Sequence, residues 1–268
     1  MRAGGCRYTF AMDAKDTDTP EARRPRARGV YLLPNLFTTG GLFAGFFAII
    51  AASQGRFEAA CVAIFVASVL DGIDGRVARL TNTQSEFGVQ YDSLADLISF
   101  GMAPALVMYY WALSAMKLDG LTFGRIGWLA AFLYAACAAL RLARFNSQVA
   151  QVDKRWFIGL ASPAAAGLMA SFVWTCHDMG LVGTDLRHAA LAVTVAAGLL
   201  MVSRVRYSSF KGSGHGPRAD RVPFVAIVIA LVVLIALVLD PPRVLLAAAV
   251  LYALSGPAMW LWRRGRAG

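Results

Sequence analysis

From about residue 32 onward the chain alternates long apolar runs with short polar links. A helix that crosses a bilayer needs roughly 20 mostly apolar residues, and about eight windows meet that need: 32–53, 57–80, 88–113, 124–145, 158–178, 187–205, 222–239 and 243–263. The seventh carries no charge before Asp240-Pro241-Pro242, a helix stop and tight turn, and the eighth ends at Arg263-Arg264. These last two read as ordinary lipid-facing anchors. An even number of crossings puts both termini on one side. The pattern therefore predicts an all-α integral membrane protein, a polytopic helical bundle of about eight transmembrane helices.

Composition supports this reading. Only 16% of residues are charged, where a soluble domain carries about a quarter. A net charge of +10 raises the idea of a nucleic-acid partner, but the cations follow the loops instead of massing with aromatics on one face. One side collects Arg23, Arg24, Arg26, Arg28, Arg76, Arg79, Arg141, Arg144, Lys154, Arg155, Arg204, Arg206, Lys211, Arg218, Arg221, Arg263, Arg264 and Arg266. The other has Arg56, Lys117, Arg125, Arg187 and Arg243. The richer side, with both termini, is predicted to face the cytoplasm, and the protein to sit in the cell membrane. Residues 1–29 form a basic, Pro-containing tail without an apolar core, expected to be loosely ordered there. Cys6, Cys61, Cys137 and Cys176 are scattered and imply neither a disulfide framework nor a zinc site. His177, His188 and His215 stand alone and receive no role.

Against this lipid-adapted background, Asp71, Asp74, Asp92 and Asp96 stand out. On helices the pairs fall at i, i+3 and i, i+4, so each shares a face. Topology puts the first pair near the cytoplasmic end of the second helix and the second near the cytoplasmic start of the third. The short polar link between them predicts adjacent antiparallel helices. Carboxylates near hydrocarbon need compensation. Salt bridges to Arg76 and Arg79 would leave two acids uncompensated. Hard divalent cations, Mg²⁺ or Mn²⁺, suit an all-oxygen donor set, and two of them shared by four aspartates suit phosphoryl chemistry. Gly72, Gly75, Ala78 and Gly88 open backbone space for a bulky ligand or for close helix packing. Arg79 is a natural phosphate partner.

The pattern Asp71-xx-Asp74-Gly75-xx-Ala78-Arg79-x8-Gly88-xxx-Asp92-xxx-Asp96 matches, in every fixed position, the signature of the CDP-alcohol phosphatidyltransferase family. The resemblance implies attack by an alcohol on the diphosphate of a CDP-activated lipid, with release of CMP. It also implies two divalent metals, a core of about six helices and a homodimer. It would make Asp71, Asp74, Asp92 and Asp96 metal ligands, with Asp96 also general base, and would place Gly75, Ala78, Arg79 and Gly88 at the CDP-lipid site. Asn35 and Thr38, after Pro34, resemble the family's nucleotide-holding Asn and Thr; a plain helix N-terminus is the other reading.

The acids do not choose the alcohol. Arg141, Arg144 and Asn146 end the fourth predicted helix, as a pocket for an anionic acceptor or as snorkelling interfacial residues. Arg141-Leu-Ala-Arg144-Phe-Asn146, the run 157–166 and the run 201–211 around Arg204 resemble the branch of the family that uses L-serine, with Ala161 where proline is commoner. The implied reaction is CDP-diacylglycerol plus L-serine giving phosphatidylserine and CMP. The likeness defines a core over 30–212 and leaves 213–268 as two additional helices. Glycerol 3-phosphate or an inositol phosphate as acceptor is the nearest alternative. A divalent-cation transporter is a more distant one, because the acids sit at one end and no inverted repeat is visible.

Overall fold

The computed structural model describes residues 32–81, 85–148, 156–208 and 224–265; the tail 1–29 lies outside them. Among these residues the chain forms α1 (Leu32–Ser53), α2 (Phe57–Leu80) and α3 (Glu86–Asp96), which continues through a π-helical segment (Leu97–Met102) into α4 (Ala103–Trp111). A 3₁₀ segment (Leu113–Asp119), α5 (Leu121–Gln148), β1 (Trp156–Ile158), α6 (Ser162–Asp178), α7 (Arg187–Val202), β2 (Arg206–Ser208), α8 (Phe224–Leu239) and α9 (Pro241–Gly265) complete the order.

Four stretches among the described residues are long and apolar enough to cross a membrane: Asn35–Ser53, Glu86–Trp111, Leu121–Ser147 and Pro241–Trp260. The α2 helix has the length but carries Asp71, Asp74, Arg76 and Arg79 in its last turns, which lowers its apolar character. On α1, Leu36, Phe43, Phe46, Phe47 and Ile50 are exposed. An apolar surface of this kind suits lipid or a protein partner, not water.

Small residues let α1 approach closely. Ala44, Ala48, Ala51 and Ala52 are buried, facing Ala60, Ala63, Ile64 and Ala67 of α2. The short link predicts that α2 and α3 lie side by side; the structure instead seats α1 against both of them, with little direct α2–α3 packing. The acidic faces consequently meet across a space and not through a tight helix seam. The cause is the small-residue stripe of α1, which admits two neighbours.

The rod containing α3 and α4 is broken where the sequence pattern shows continuous helix. Immediately after Asp96 the ladder widens, with the Ala103 N–H reaching the Ile98 carbonyl. One inserted residue rotates α4 relative to α3, a device frequent at functional sites. Pro104 has no N–H for the carbonyl four residues back. That carbonyl, of Phe100, accepts a hydrogen bond from the buried Tyr134 hydroxyl of α5 at 3.1 Å. Ser99, also buried, donates to the Gly41 carbonyl of α1 at 3.0 Å. Both bonds anchor the break in the centre of the fold.

Two windows start or stop differently from the hydropathy reading. The window 158–178 begins as a helix only at Ser162, and 187–205 ends at Val202. The strands β1 and β2, just before α6 and just after α7, pair antiparallel, with Phe157 opposite Tyr207. Gly159 leaves this ribbon at φ 81° and is pressed against the Met201 carbonyl, where a Cβ would collide. Only glycine takes that conformation there without strain. The ribbon thereby turns the chain directly into the N-terminus of α6.

The two last helices differ from each other. Leu231 to Ile235, Val238 and Leu239 of α8 are exposed, as expected of an anchor. The α9 helix instead packs along α6. Its Ala253 is buried and its carbonyl accepts from the Tyr207 hydroxyl at 3.0 Å. At the opposite end of the α3–α4 rod from the acids, Arg187 grips Asp119 at 2.6 Å through two nitrogens. That guanidinium holds the Asp119 carboxyl below the usual carboxylate range.

Candidate functional site

The acidic cavity is assembled from three elements. The last turns of α2 present Asp71 and Asp74, α3 presents Asp92 and Asp96, and α1 supplies Thr38 and Gly41. Ala67, Ala95, Ser99 and Phe100 complete the lining. Carboxylate oxygens of Asp71, Asp74 and Asp92 lie within 4.8 Å of one another. Asp96 reaches the same space from one helical turn beyond Asp92, close enough for its carboxyl to hydrogen-bond that of Asp71.

Such crowding cannot persist with four bare charges in partly buried surroundings. Among the described residues no ion pair joins these acids to Arg76 or Arg79. Arg79 lies back along its own helix, its Nε donating to the Gly75 carbonyl at 2.7 Å. Compensation by the neighbouring arginines is therefore not what the fold uses. A set of hard oxygen donors at this spacing can hold a divalent cation, and Mg²⁺ and Mn²⁺ match its chemistry.

Thr38 was expected at a nucleotide, but its clearest contact is with an acid. Its buried Oγ1 donates to Asp74 Oδ2 at 2.9 Å. That bond fixes which Asp74 lone pairs remain for a cation. Replacing Thr38 by Val keeps the shape and removes the donor, so the concentration of Mn²⁺ or Mg²⁺ giving half-maximal activity should rise about tenfold with little change in folding. A metal titration of wild type and variant checks this; superimposable curves would show the bond to be dispensable.

The remaining candidates occupy different ranks. Asn35 and Gly88 are neighbours: a Cβ on Gly88 would lie 3.6 Å from Asn35 Oδ1. Gly88 also sits in the first turn of α3, where its N–H bonds the capping Ser85 hydroxyl at 3.0 Å. Ala78 is half-buried and Gly75 exposed on α2. None of Asn35, Gly75, Ala78, Arg79 and Gly88 lines the acidic cavity itself.

On the acceptor side, Arg141 is half-buried. Its Nη1 donates to Ser162 Oγ at 2.9 Å. Asn146 Nδ2 donates to Ser93 Oγ at 2.9 Å, next to Asp92. Arg144 is half-buried, and Arg204 is exposed on the link between α7 and β2, outside the cavity lining. Ser99 and Tyr134 were not anticipated, while Ser162 falls in the run 157–166 already noted for its likeness to the serine-using branch. Only Pro104, an imino acid inside an apolar run, signals in sequence that the helix below Asp96 is irregular.

The family model for CDP-alcohol phosphatidyltransferase matches residues 31–201. A CDP-diacylglycerol--serine O-phosphatidyltransferase of Helicobacter pylori (strain ATCC 700392 / 26695) is 43% identical over 182 residues, covering 68% of this chain and 74% of the relative. A protein of the same name from Methanocaldococcus jannaschii is 36% identical over 147 residues, 55% of this chain and 62% of the relative. An archaetidylserine synthase of Methanothermobacter thermautotrophicus is 34% identical over 184 residues, with 68% and 72% covered.

Proposed function

Because the chain belongs to the CDP-alcohol phosphatidyltransferase family, we infer that it transfers the phosphatidyl group of CDP-diacylglycerol to the hydroxyl of L-serine, giving phosphatidylserine and CMP. The observation that carries the chemistry is the convergence of Asp71, Asp74 and Asp92 within 4.8 Å, with Asp96 and Thr38 at the same opening.

In this reading Asp71, Asp74, Asp92 and Asp96 hold two divalent cations, Mg²⁺ or Mn²⁺, which neutralise the diphosphate when bound. Asn35, Thr38, Gly75, Ala78, Arg79 and Gly88 form the CDP-lipid site, where the glycines and alanine admit the nucleotide and Arg79 swings from its own helix to a phosphate. Asp96 accepts the serine hydroxyl proton. The serine oxygen then bonds to the lipid-linked phosphorus as the bond from that phosphorus to CMP breaks. Arg141 and Arg144 attract the serine carboxylate, Asn146 orients the amino acid, and Arg204 draws anions to the entrance.

The protein is integral to the membrane. About eight crossings, six of them a catalytic core within 30–212, put both termini and the acids on the cytoplasmic side. There water-soluble serine and CMP reach the site while the lipid stays in the bilayer. Residues 213–268 add two helices, and the protein works as a homodimer.

Purified protein incubated with CDP-diacylglycerol, Mn²⁺ or Mg²⁺ and radiolabelled acceptors tests this reading. Label should enter lipid from serine with release of CMP, vanish on chelation and return with added metal. Incorporation from glycerol 3-phosphate but not from serine would replace the acceptor assignment.

A further inference from the structure

Arg141 is a half-buried cation whose partners are incomplete. Its Nη1 donates to Ser162 Oγ at 2.9 Å, while the shielded Nε makes no hydrogen bond. Among the described residues no carboxylate forms a salt bridge with it. A guanidinium withdrawn from water against a neutral hydroxyl is costly, and is retained where an anion completes it.

Two contacts fix where α5 carries this group. A Cβ on Gly101 would lie 3.2 Å from Ala138 Cβ, and Asn146 Nδ2 reaches Ser93 Oγ at 2.9 Å. Between these contacts α5 advances from 138 to 146 as the rod of α3 and the π-helical segment falls back from 101 to 93, so the two run antiparallel in constant register. That register sets Arg141 level with Ile98, just past Asp96. The guanidinium is thus carried at the height of the last acid.

Ser162 is fixed more firmly than a serine at a helix start requires. It is 1% exposed and opens α6 ahead of Pro163, whose ring sets the backbone of the first turn. The approach to it is bonded at successive amides, Gly159 N–H to the Val205 carbonyl at 2.8 Å and Leu160 N–H to the Leu200 carbonyl at 3.0 Å. A serine at the start of a helix usually caps it, but here the cap position belongs to Ala161 and no side-chain cap bond forms. The hydroxyl goes to Arg141 instead. Because a guanidinium is planar and rigid, holding Nη1 fixes the direction of the Nε edge, and such an edge meets the two oxygens of a carboxylate through parallel hydrogen bonds.

We propose that Ser162 is a positioning residue for the acceptor: its hydroxyl turns Arg141 so that the Nε edge receives the serine carboxylate. The proposal rests on the serine reading above.

The test uses the full chain with CDP-diacylglycerol in detergent micelles. Ser162→Ala removes the hydroxyl, and Ser162→Cys fills the same space with a weak acceptor. Both should raise the serine KM about tenfold. The kcat and the KM for CDP-diacylglycerol should stay within about twofold of wild type, the signature of lost ground-state binding. In an Arg141→Lys background Ser162→Ala should add less than about twofold, because an ammonium is a point charge without an edge to aim. An unchanged serine KM in either variant, a parallel loss in kcat and both substrate affinities, or simple additivity with Arg141→Lys would each overturn the proposal. Wild-type protein that fails to use serine would instead sink the acceptor assignment, leaving the two failures distinguishable.

Discussion

Asp96→Asn should fold, bind CDP-diacylglycerol and turn over at least about a thousandfold more slowly, the range expected when a general base is removed. The substitution is nearly isosteric, so the α3 helix and the π-helical segment after it need not move. What changes is chemistry: an amide cannot take the acceptor's proton, and it removes one charge beside a cluster in which the Asp71, Asp74 and Asp92 oxygens lie within 4.8 Å of one another. Binding of the CDP-lipid measured by titration calorimetry, beside turnover measured as CMP release, separates the two roles. Turnover near wild type would remove Asp96 as base. Loss of lipid binding together with turnover would recast it as mainly a cation ligand.

Gly45→Val should damage stability and activity together, although Gly45 touches none of the acids. A Cβ on Gly45 would lie 2.7 Å from Ser99 Cα, so the two backbones are already in contact and a branched side chain must push α1 away from the π-helical segment. Overpacking of this kind costs about 1–3 kcal/mol, sometimes more. The same displacement stretches the Ser99–Gly41 bond and draws Thr38 from Asp74. The thermal midpoint should fall by about 5 °C, with specific activity at least about tenfold lower and a higher metal requirement. Gly72→Ala is the control for stability, since a Cβ there meets no atom within 4 Å. Equal midpoints for Gly45→Val and wild type would show that α1 can yield at this contact.

Both expectations concern one arrangement, a helix irregularity placed directly after the last acid. The inserted residue lets Asp92 and Asp96 face the cavity while Ser99 and Phe100 still line it. In a regular helix, Asp92, Asp96 and Ser99 would share one face without a break, but the backbone there would lack the widened turn that Tyr134 caps. Hydropathy does not encode this feature. It depends on Pro104 withholding a donor and on a tyrosine of a distant helix supplying one.

The rods themselves were legible because burial in lipid demands long apolar runs and internally satisfied backbone. The acids were legible because i, i+3 and i, i+4 spacing puts side chains on one helical face whatever the surroundings. Helix ends were less so: apolar residues 156–161 continue the pattern of α6 yet form a strand and a turn, since Gly159 adopts a left-handed conformation that periodicity does not record.

By itself the sequence determined a helical membrane chain, the faces on which Asp71, Asp74, Asp92 and Asp96 lie, and the spacing that resembles one enzyme family. Tertiary structure decided what stands between those faces. It put α1 against both acid-bearing helices, gave Asp74 to Thr38, and brought α9 from the far end of the chain against α6. The reason is range: local periodicity dictates where a side chain points from its own helix, but which helices become neighbours depends on small-residue contacts and single hydrogen bonds between residues tens of positions apart.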